Sequence, residues 1–417
     1  MMRQLPRAAG VDDDLSLADV TAVVKASAED FQVVEKLPFV PGELESSGEH
    51  LLIRIKKRGF STVAVQRMLA QFVGCRQHDI GYCGLKDVRA VTEQWFSLPL
   101  NSASKKQSKT GGGTGLSDGS CEDWRFACSR HFSQLQQTAP ESRVDVSEVC
   151  RHNRKLRPGT HSGNHFRIVL REIESNRVGR SVDLQRTLEQ RLESIRSTGF
   201  PNYFGLQRFG RDGSNLLTAV QLIEREVPKS CSGSASRRRL SQPQKLAVSA
   251  FRSFLFNLIC SARVKNNTWL SASVGEPLLV GSSRSFFIAT DVDADIESRL
   301  NAGQISTSAA LAGSVGDDPA GLACWWSRER NMLDNELSAL DPEMPSDIVD
   351  QFCGVFSEKL GLRHQRRALC VQPANMDWTR IDATTLEMTF DLPPGVFATA
   401  LLGNVCGIRE SALETTV

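Results

Sequence analysis

The stretch Gly81-Tyr82-Cys83-Gly84-Leu85-Lys86-Asp87-Val88-Arg89-Ala90-Val91-Thr92-Glu93-Gln94-Trp95 holds one carboxylate on its loop, Asp87, with Lys86 beside it and Arg89 two residues on. A carboxylate set among cations is biased toward its ionised form, the form a nucleophile needs. Gly81 and Gly84, close ahead of it, read as backbone bent for a purpose. For such a loop alone a solvated surface turn is the commoner reading, because Gly and Asp favour turns. The neighbouring segments decide against it.

Those segments must position the loop. Residues 31–34 and 51–57 read as strands, the second rich in apolar and branched side chains. Val65, Met68, Leu69 and Phe72 recur at helical spacing, with Ser61 or Thr62 as the cap and Gly74 as the stop. Phe96 to Leu100 reads as a strand, and so do Phe166, Ile168 and Leu170 with the residues between them. Leu184, Leu188, Leu192 and Ile195 mark a helix. Phe251, Phe254, Leu255, Leu258 and Ile259 mark another, whose aromatic residues suit a core. Residues 101–120, rich in Ser, Lys and Gly, lack a G-x-x-x-x-G-K-[ST] pattern and read as a flexible insertion. Residues 232–241 read as a mobile connector. Strands and helices mix without a regular βαβ period, so the expected class is α+β.

At 417 residues, 40% hydrophobic and 24% charged, the chain has the composition of a soluble globular protein with room for two domains. A net charge of +2 does not announce nucleic acid, but charge is clustered. Eight Lys or Arg and only two acids lie between Arg151 and Arg180. Arg237, Arg238 and Arg239 form a second cluster; Arg363, Arg366 and Arg367, with His364, form a third. Basic clusters in a near-neutral chain suit one phosphate-facing surface. No apolar run approaches the ~18 residues of a membrane helix. The N-terminus carries Asp12, Asp13 and Asp14 and lacks an apolar signal core, so neither secretion nor a membrane is expected. Eleven scattered cysteines, none spaced C-x-x-C, fit reduced thiols and a cytoplasmic protein. His161 and His165 are four apart, but Ser-Gly-Asn between them argues against a helix that would align metal ligands.

Five further segments cluster residues that seldom meet by chance. They are Ala28-Glu29-Asp30-Phe31-Gln32-Val33-Val34-Glu35, Lys155-Leu156-Arg157-Pro158-Gly159-Thr160-His161-Ser162-Gly163-Asn164-His165-Phe166, Gly199-Phe200-Pro201-Asn202-Tyr203-Phe204-Gly205-Leu206-Gln207-Arg208-Phe209-Gly210, Leu246-Ala247-Val248-Ser249-Ala250-Phe251-Arg252-Ser253-Phe254-Leu255-Phe256-Asn257 and Leu392-Pro393-Pro394-Gly395-Val396-Phe397-Ala398-Thr399. With the Asp87 loop they resemble, in order and over nearly the whole chain, the TruD family of tRNA pseudouridine synthases. The resemblance implies an α+β pseudouridine-synthase catalytic domain, here residues 1–198 plus 370–417, interrupted by a TruD insertion domain over residues 199–369.

The implied reaction turns a uridine of tRNA, at position 13 by resemblance, into its C5-glycoside isomer. It needs no redox change and no outside group, so neither cofactor nor metal is expected, and no obligatory protein partner is evident. The family's nucleophile matches Asp87. A carboxylate there could attack C1′ or C6, or trigger glycal formation by proton abstraction. The family's uridine pocket matches Phe31, Asn164, Phe166 and Phe397. Stacking on such faces recovers part of the cost of unstacking the base, and Asn164 carries a donor and an acceptor for a uracil edge or ribose hydroxyl. Lys86 is expected either to orient Asp87 or to touch phosphate. Arg154, Lys155, Arg157 and Arg208 are candidates for the RNA backbone.

The chain departs from the family after Phe397-Ala398-Thr399, where Gly403 and Asn404 replace an Arg-Glu pair, and at Val88, often basic in the family. Loss of a nearby cation raises a carboxylate pKa by about 1–3. From near ~4 that still leaves Asp87 largely ionised around neutrality. The rival reading is a tRNA-binding or tRNA-folding protein with weak or lost isomerase activity. A glycosidase would canonically need two catalytic carboxylates, and the basic clusters favour RNA over a neutral sugar.

Overall fold

The computed structural model describes residues 19–41, 48–100, 119–136, 142–175, 184–226, 240–281, 283, 285–314, 322–340 and 347–410. The expected insertion at 101–120, apart from its last two residues, and nearly all of the connector at 232–241 lie outside them, as do Arg237, Arg238 and Arg239. The chain divides into two compact units. One comprises Val20–Val178, Pro373–Gly395 and Ile408–Val417; the other Met1–Asp19, Gly179–Gln372 and Val396–Gly407. The expected insertion, 199–369, falls inside the second.

The first unit is a mixed sheet with helices packed on it. Its strands are Val20–Val24 (β1), Phe31–Lys36 (β2), His50–Arg58 (β3), Gly81–Tyr82 (β4), Val91–Pro99 (β5), Arg143–His152 (β6) and Gly163–Ser175 (β7), followed by Ala374–Arg380 and Leu386–Leu392. The sheet runs Ala374–Arg380, Leu386–Leu392, β7, β2, β5, β3, β6, with β4 added to β5 and β1 to β7. β2 and β5 pair in parallel; β3 pairs antiparallel with both β5 and β6. This is the expected α+β class.

Alternation builds the core. Leu51, Ile53 and Ile55 point to one face of β3 and bury themselves with Phe96 and Leu98 of β5. The helix Thr62–Val73 (α1) answers with Val65, Leu69 and Val73 at four-residue spacing. Trp124, Cys128 and Phe132 of the helix Cys121–Gln136 complete the cluster. Each large apolar side chain fully buried there contributes roughly 1.5–3 kcal/mol. α1 starts at Ser61, whose Oγ accepts from Ala64 N at 3.0 Å, and ends at Gly74, whose φ of 74° is the left-handed stop expected of a glycine.

In the second unit the helix Gln242–Lys265 buries Phe251, Phe254, Leu255, Leu258 and Ile259, as their spacing predicts. One expectation needs correction here. This helix is long and apolar enough to span a membrane by length and composition, although no run of that kind was expected. Ser, Arg and Asn residues interrupt the apolar run, and 78% of the window is buried inside the fold, which is what a core helix requires.

The third basic cluster is also corrected in part. Arg366 lies on the strand Gln365–Ala368, paired with Ser308–Leu311. Its guanidinium forks onto both oxygens of Glu329, at 2.7 Å each, with both side chains 1% exposed. Arg367 donates to Asn202 Oδ1 and sits 4.0 Å from the centre of the Phe204 ring. Burial pulls its pKa down to about 9 and that of His364 down to about 3. Arg366 and Arg367 are thus engaged inside the unit and His364 is neutral, whereas Arg363 of the same cluster is exposed.

Candidate active site

The Asp87 loop runs from β4 to β5 and is pinned by backbone and side-chain bonds along its length. Gly81 must be glycine: a Cβ there would meet Leu156 O at 2.3 Å and Ser97 Oγ at 2.4 Å. Gly84 carries no such demand. Gln94 donates to Gly84 O at 3.2 Å, Thr62 Oγ1 accepts from Lys86 N at 2.9 Å, and Gly59 N donates to Val88 O at 3.2 Å. Lys57 donates to Asp87 O at 3.1 Å and to Phe60 O at 2.8 Å. Thr62 therefore serves the loop, and Ser61 is left to cap the helix.

Asp87 itself is held by Lys25, which the sequence reading did not single out, and by the backbone of Arg89, which it named for its charge. Lys25 Nζ donates to its Oδ2, and the backbone N–H of Arg89 donates to Oδ1 at 3.0 Å. Burial alone would raise the carboxyl. The Lys25 hydrogen bond and charge, the Arg89 N–H and the charge of Lys57 outweigh it and hold Asp87 below the usual carboxylate range. The side chain stays 37% exposed, so an ionised oxygen faces solvent. Lys25 has φ 58°, a left-handed conformation that disfavours any residue with a Cβ. Strain of this kind is found at functional positions.

Lys25 joins Asp87 to an aromatic group. Its Nζ lies 4.7 Å from the centre of the Phe31 ring. Phe31 meets Phe166 edge-on at 6.2 Å, and Phe166 stacks on Phe390 at 5.3 Å. Phe31 and Phe166 are 6% and 7% exposed, mostly sheet core, so each leaves little surface for a ligand. Asn164 faces Glu35 across β7 and β2; its Oδ1 is buried and has no hydrogen-bond partner among the described residues.

Lys86 does not reach the neighbouring carboxylate. Its Nζ donates to Glu35 Oε2 at 2.6 Å, inside the fold, while Glu35 Oε1 accepts from Trp95 N at 3.2 Å. Burial pushes the Glu35 carboxyl up, against the charge and hydrogen bond of Lys86. With 6% of its side chain exposed, Lys86 orients the loop and is not available to phosphate.

The remaining expected residues are dispersed. Arg154 and Arg157 are exposed; Lys155 is half-buried and donates to His78 O. Two members of the same basic stretch are spent in ion pairs of the sheet, Arg167 with Glu387 and Arg171 with Asp30. Arg208 belongs to the second unit, where it is half-buried and donates to Ser249 and Ser253. Phe397 also belongs to that unit, at the start of the helix Ala398–Gly403, with its ring 5.8 Å from Phe204.

Of the functional groups missed, Lys25 stands six residues before Phe31 with nothing in its spacing to mark it. Lys57 was readable only as the end of a strand. Gln94 and Thr62 are ordinary polar residues until the fold joins them to each other, by a 2.8 Å bond from Thr62 Oγ1 to Gln94 Oε1, and to the loop at Lys86 N and Gly84 O.

Known proteins resemble the chain along almost its entire length. The sequence model described as tRNA pseudouridine synthase D (TruD) matches residues 15–232 and 221–405. The tRNA pseudouridine synthase D of Xanthomonas euvesicatoria is 32% identical over 411 residues, covering 98% of this chain and 95% of that protein. The corresponding protein of Vibrio vulnificus is 33% identical over 397 residues, 94% of each chain. A crystal structure of a putative tRNA pseudouridine synthase D from Methanosarcina mazei shares the fold, with a TM-score of 0.59 at 17% identity over 96% of this chain and 97% of that one. On these matches the chain belongs to the tRNA pseudouridine synthase D (TruD) family.

Proposed function

We propose that this TruD-family enzyme isomerises uridine 13 of tRNA to pseudouridine with Asp87 as the nucleophile. The observation that carries the reading is the state of Asp87: ionised by Lys25 and Arg89 N–H, partly open to solvent, and fixed on a loop bonded at both flanks. The uracil–C1′ bond breaks, the base turns, and C5 bonds to C1′ as the C5 proton is lost and N1 gains one. Asp87 serves at C1′, at C6 or as the base that opens a glycal route.

Phe31, Phe166 and Asn164 lie on the paired strands β2 and β7 and supply aromatic surface and an amide for the base. Residues 199–369 are the family's insertion domain in this reading. Exposed Arg154 and Arg157 take backbone phosphates. The rival, a tRNA binder without efficient catalysis, rests on Gly403 in place of an Arg. Its weight falls because Lys25 already gives Asp87 a cation.

Pseudouridine mapping on unmodified tRNA incubated with wild type and Asp87→Asn tests the reading. It predicts product at position 13 with wild type alone. Binding without product at any position would favour the silent binder.

A further inference from the structure

β3 places Leu51, Ile53, Ile55 and Lys57 on one face. The first three are fully buried, and Lys57, where a fourth apolar residue would be expected, is 1% exposed. A buried ammonium is costly unless something uses it. The Lys57 ammonium is bonded to two carbonyls, Phe60 O and Asp87 O, at the start of α1 and in the Asp87 loop. Across the sheet Lys57 faces Thr92 of β5 and Val144 of β6, neither of them charged. The charged groups that act on it are Asp87, which favours its ammonium, and Lys86, which opposes it.

We propose that Lys57 is the positioning residue of the nucleophile: its ammonium grips the Asp87 carbonyl from below, fixes the loop, and adds a second cation to the field that keeps the carboxylate ionised. Lys25 acts on the carboxylate from its side chain, and Lys57 acts through the backbone and through space. This deepens the proposed function and rests on it. Burial brings the Lys57 pKa down to about 8, so the grip weakens within an accessible pH range.

The test compares steady-state isomerisation by wild type, Lys57→Met and Lys57→Arg on full-length tRNA, each from pH 6 to about 9.5, a range chosen to span the lowered pKa of a buried lysine. Lys57→Met is expected to lower kcat by about 10- to 100-fold with KM little changed, as misplacement of a reacting group does. Wild type is expected to fall on the alkaline side around pH 8, and Lys57→Met is expected to lose that fall. Lys57→Arg, which keeps a charge, should recover part of kcat. A purely structural lysine would leave the pH profile's shape unchanged. Should Lys57→Met fail to fold, the wild-type profile decides, since no alkaline fall in a protein still folded by circular dichroism overturns the proposal. An active wild type matched by Lys57→Met overturns the role of Lys57 alone. A wild type inactive on every tRNA overturns the reading of Asp87 with it.

Discussion

Lys86 Nζ and Glu35 Oε2 lie 2.6 Å apart, with the Glu35 side chain fully buried and that of Lys86 6% exposed. The pair ties the loop that carries Asp87 to β2, the strand that begins with Phe31. Adjacent residues of the loop thus face opposite ways: Lys86 inward to Glu35, Asp87 to Lys25 at the surface.

Removing one member of that pair leaves the other buried without its counter-charge. Lys86→Met or Glu35→Gln is expected to cost about 3–5 kcal/mol of stability. The double variant should cost less than the sum of the two. Urea unfolding of all four proteins measures this, and additive losses would show that the two side chains do not depend on each other.

Lys25→Met should move the Asp87 carboxyl upward by removing its hydrogen bond and nearest charge. In the folded protein Asp87 titrates below its ordinary value of 3.8. Stability from the pair is therefore present above 3.8 and is lost as pH falls through the lower, folded value. Wild-type kcat/KM should show no acid limb from Asp87 near neutrality, whereas the Lys25→Met limb should rise toward it. Identical acid limbs in the two proteins would separate Lys25 from the ionisation of Asp87.

Arg157→Ala and Arg366→Met should fail in different ways. Arg157 is exposed on the loop before β7. Its loss should leave the melting temperature alone, weaken tRNA binding and reduce the salt slope of log K by about 1. A filter-binding series in KCl reads this directly, and an unchanged slope would take Arg157 off the phosphate surface.

Arg366 is locked to Glu329 in the second unit. Arg366→Met is expected to destabilise the protein by about 3–5 kcal/mol, and Arg366→Met with Glu329→Leu to recover most of that. The salt slope of the double variant should equal wild type. A shallower slope would restore Arg366 to the RNA-facing set.

Much of the frame could be read along the chain because each element encodes its own face. Apolar, branched composition marked β3, period-two alternation marked β7, and helical spacing with a cap at Ser61 or Thr62 and a stop at Gly74 bounded α1. The motif order placed Asp87, Phe31, Asn164 and Phe166 among the residues to examine, and three of those four border one run of strands. Charge was read less well. Arg157, Arg208, Arg366 and Arg367 look alike in sequence, yet one is exposed, two are half-buried and one is buried.

The sequence by itself determined the α+β class, the family and the Asp87 loop, since local periodicity and ordered motifs are properties of the chain. Only the tertiary structure decided that Lys25, 62 residues away, clasps Asp87, that Lys86 turns inward to Glu35, and that Lys57 lies beneath the loop. Periodicity fixes which side of an element a residue faces. The partner it meets there depends on which distant segment packs against that side, and the charge of a side chain does not reveal whether it has been taken out of water.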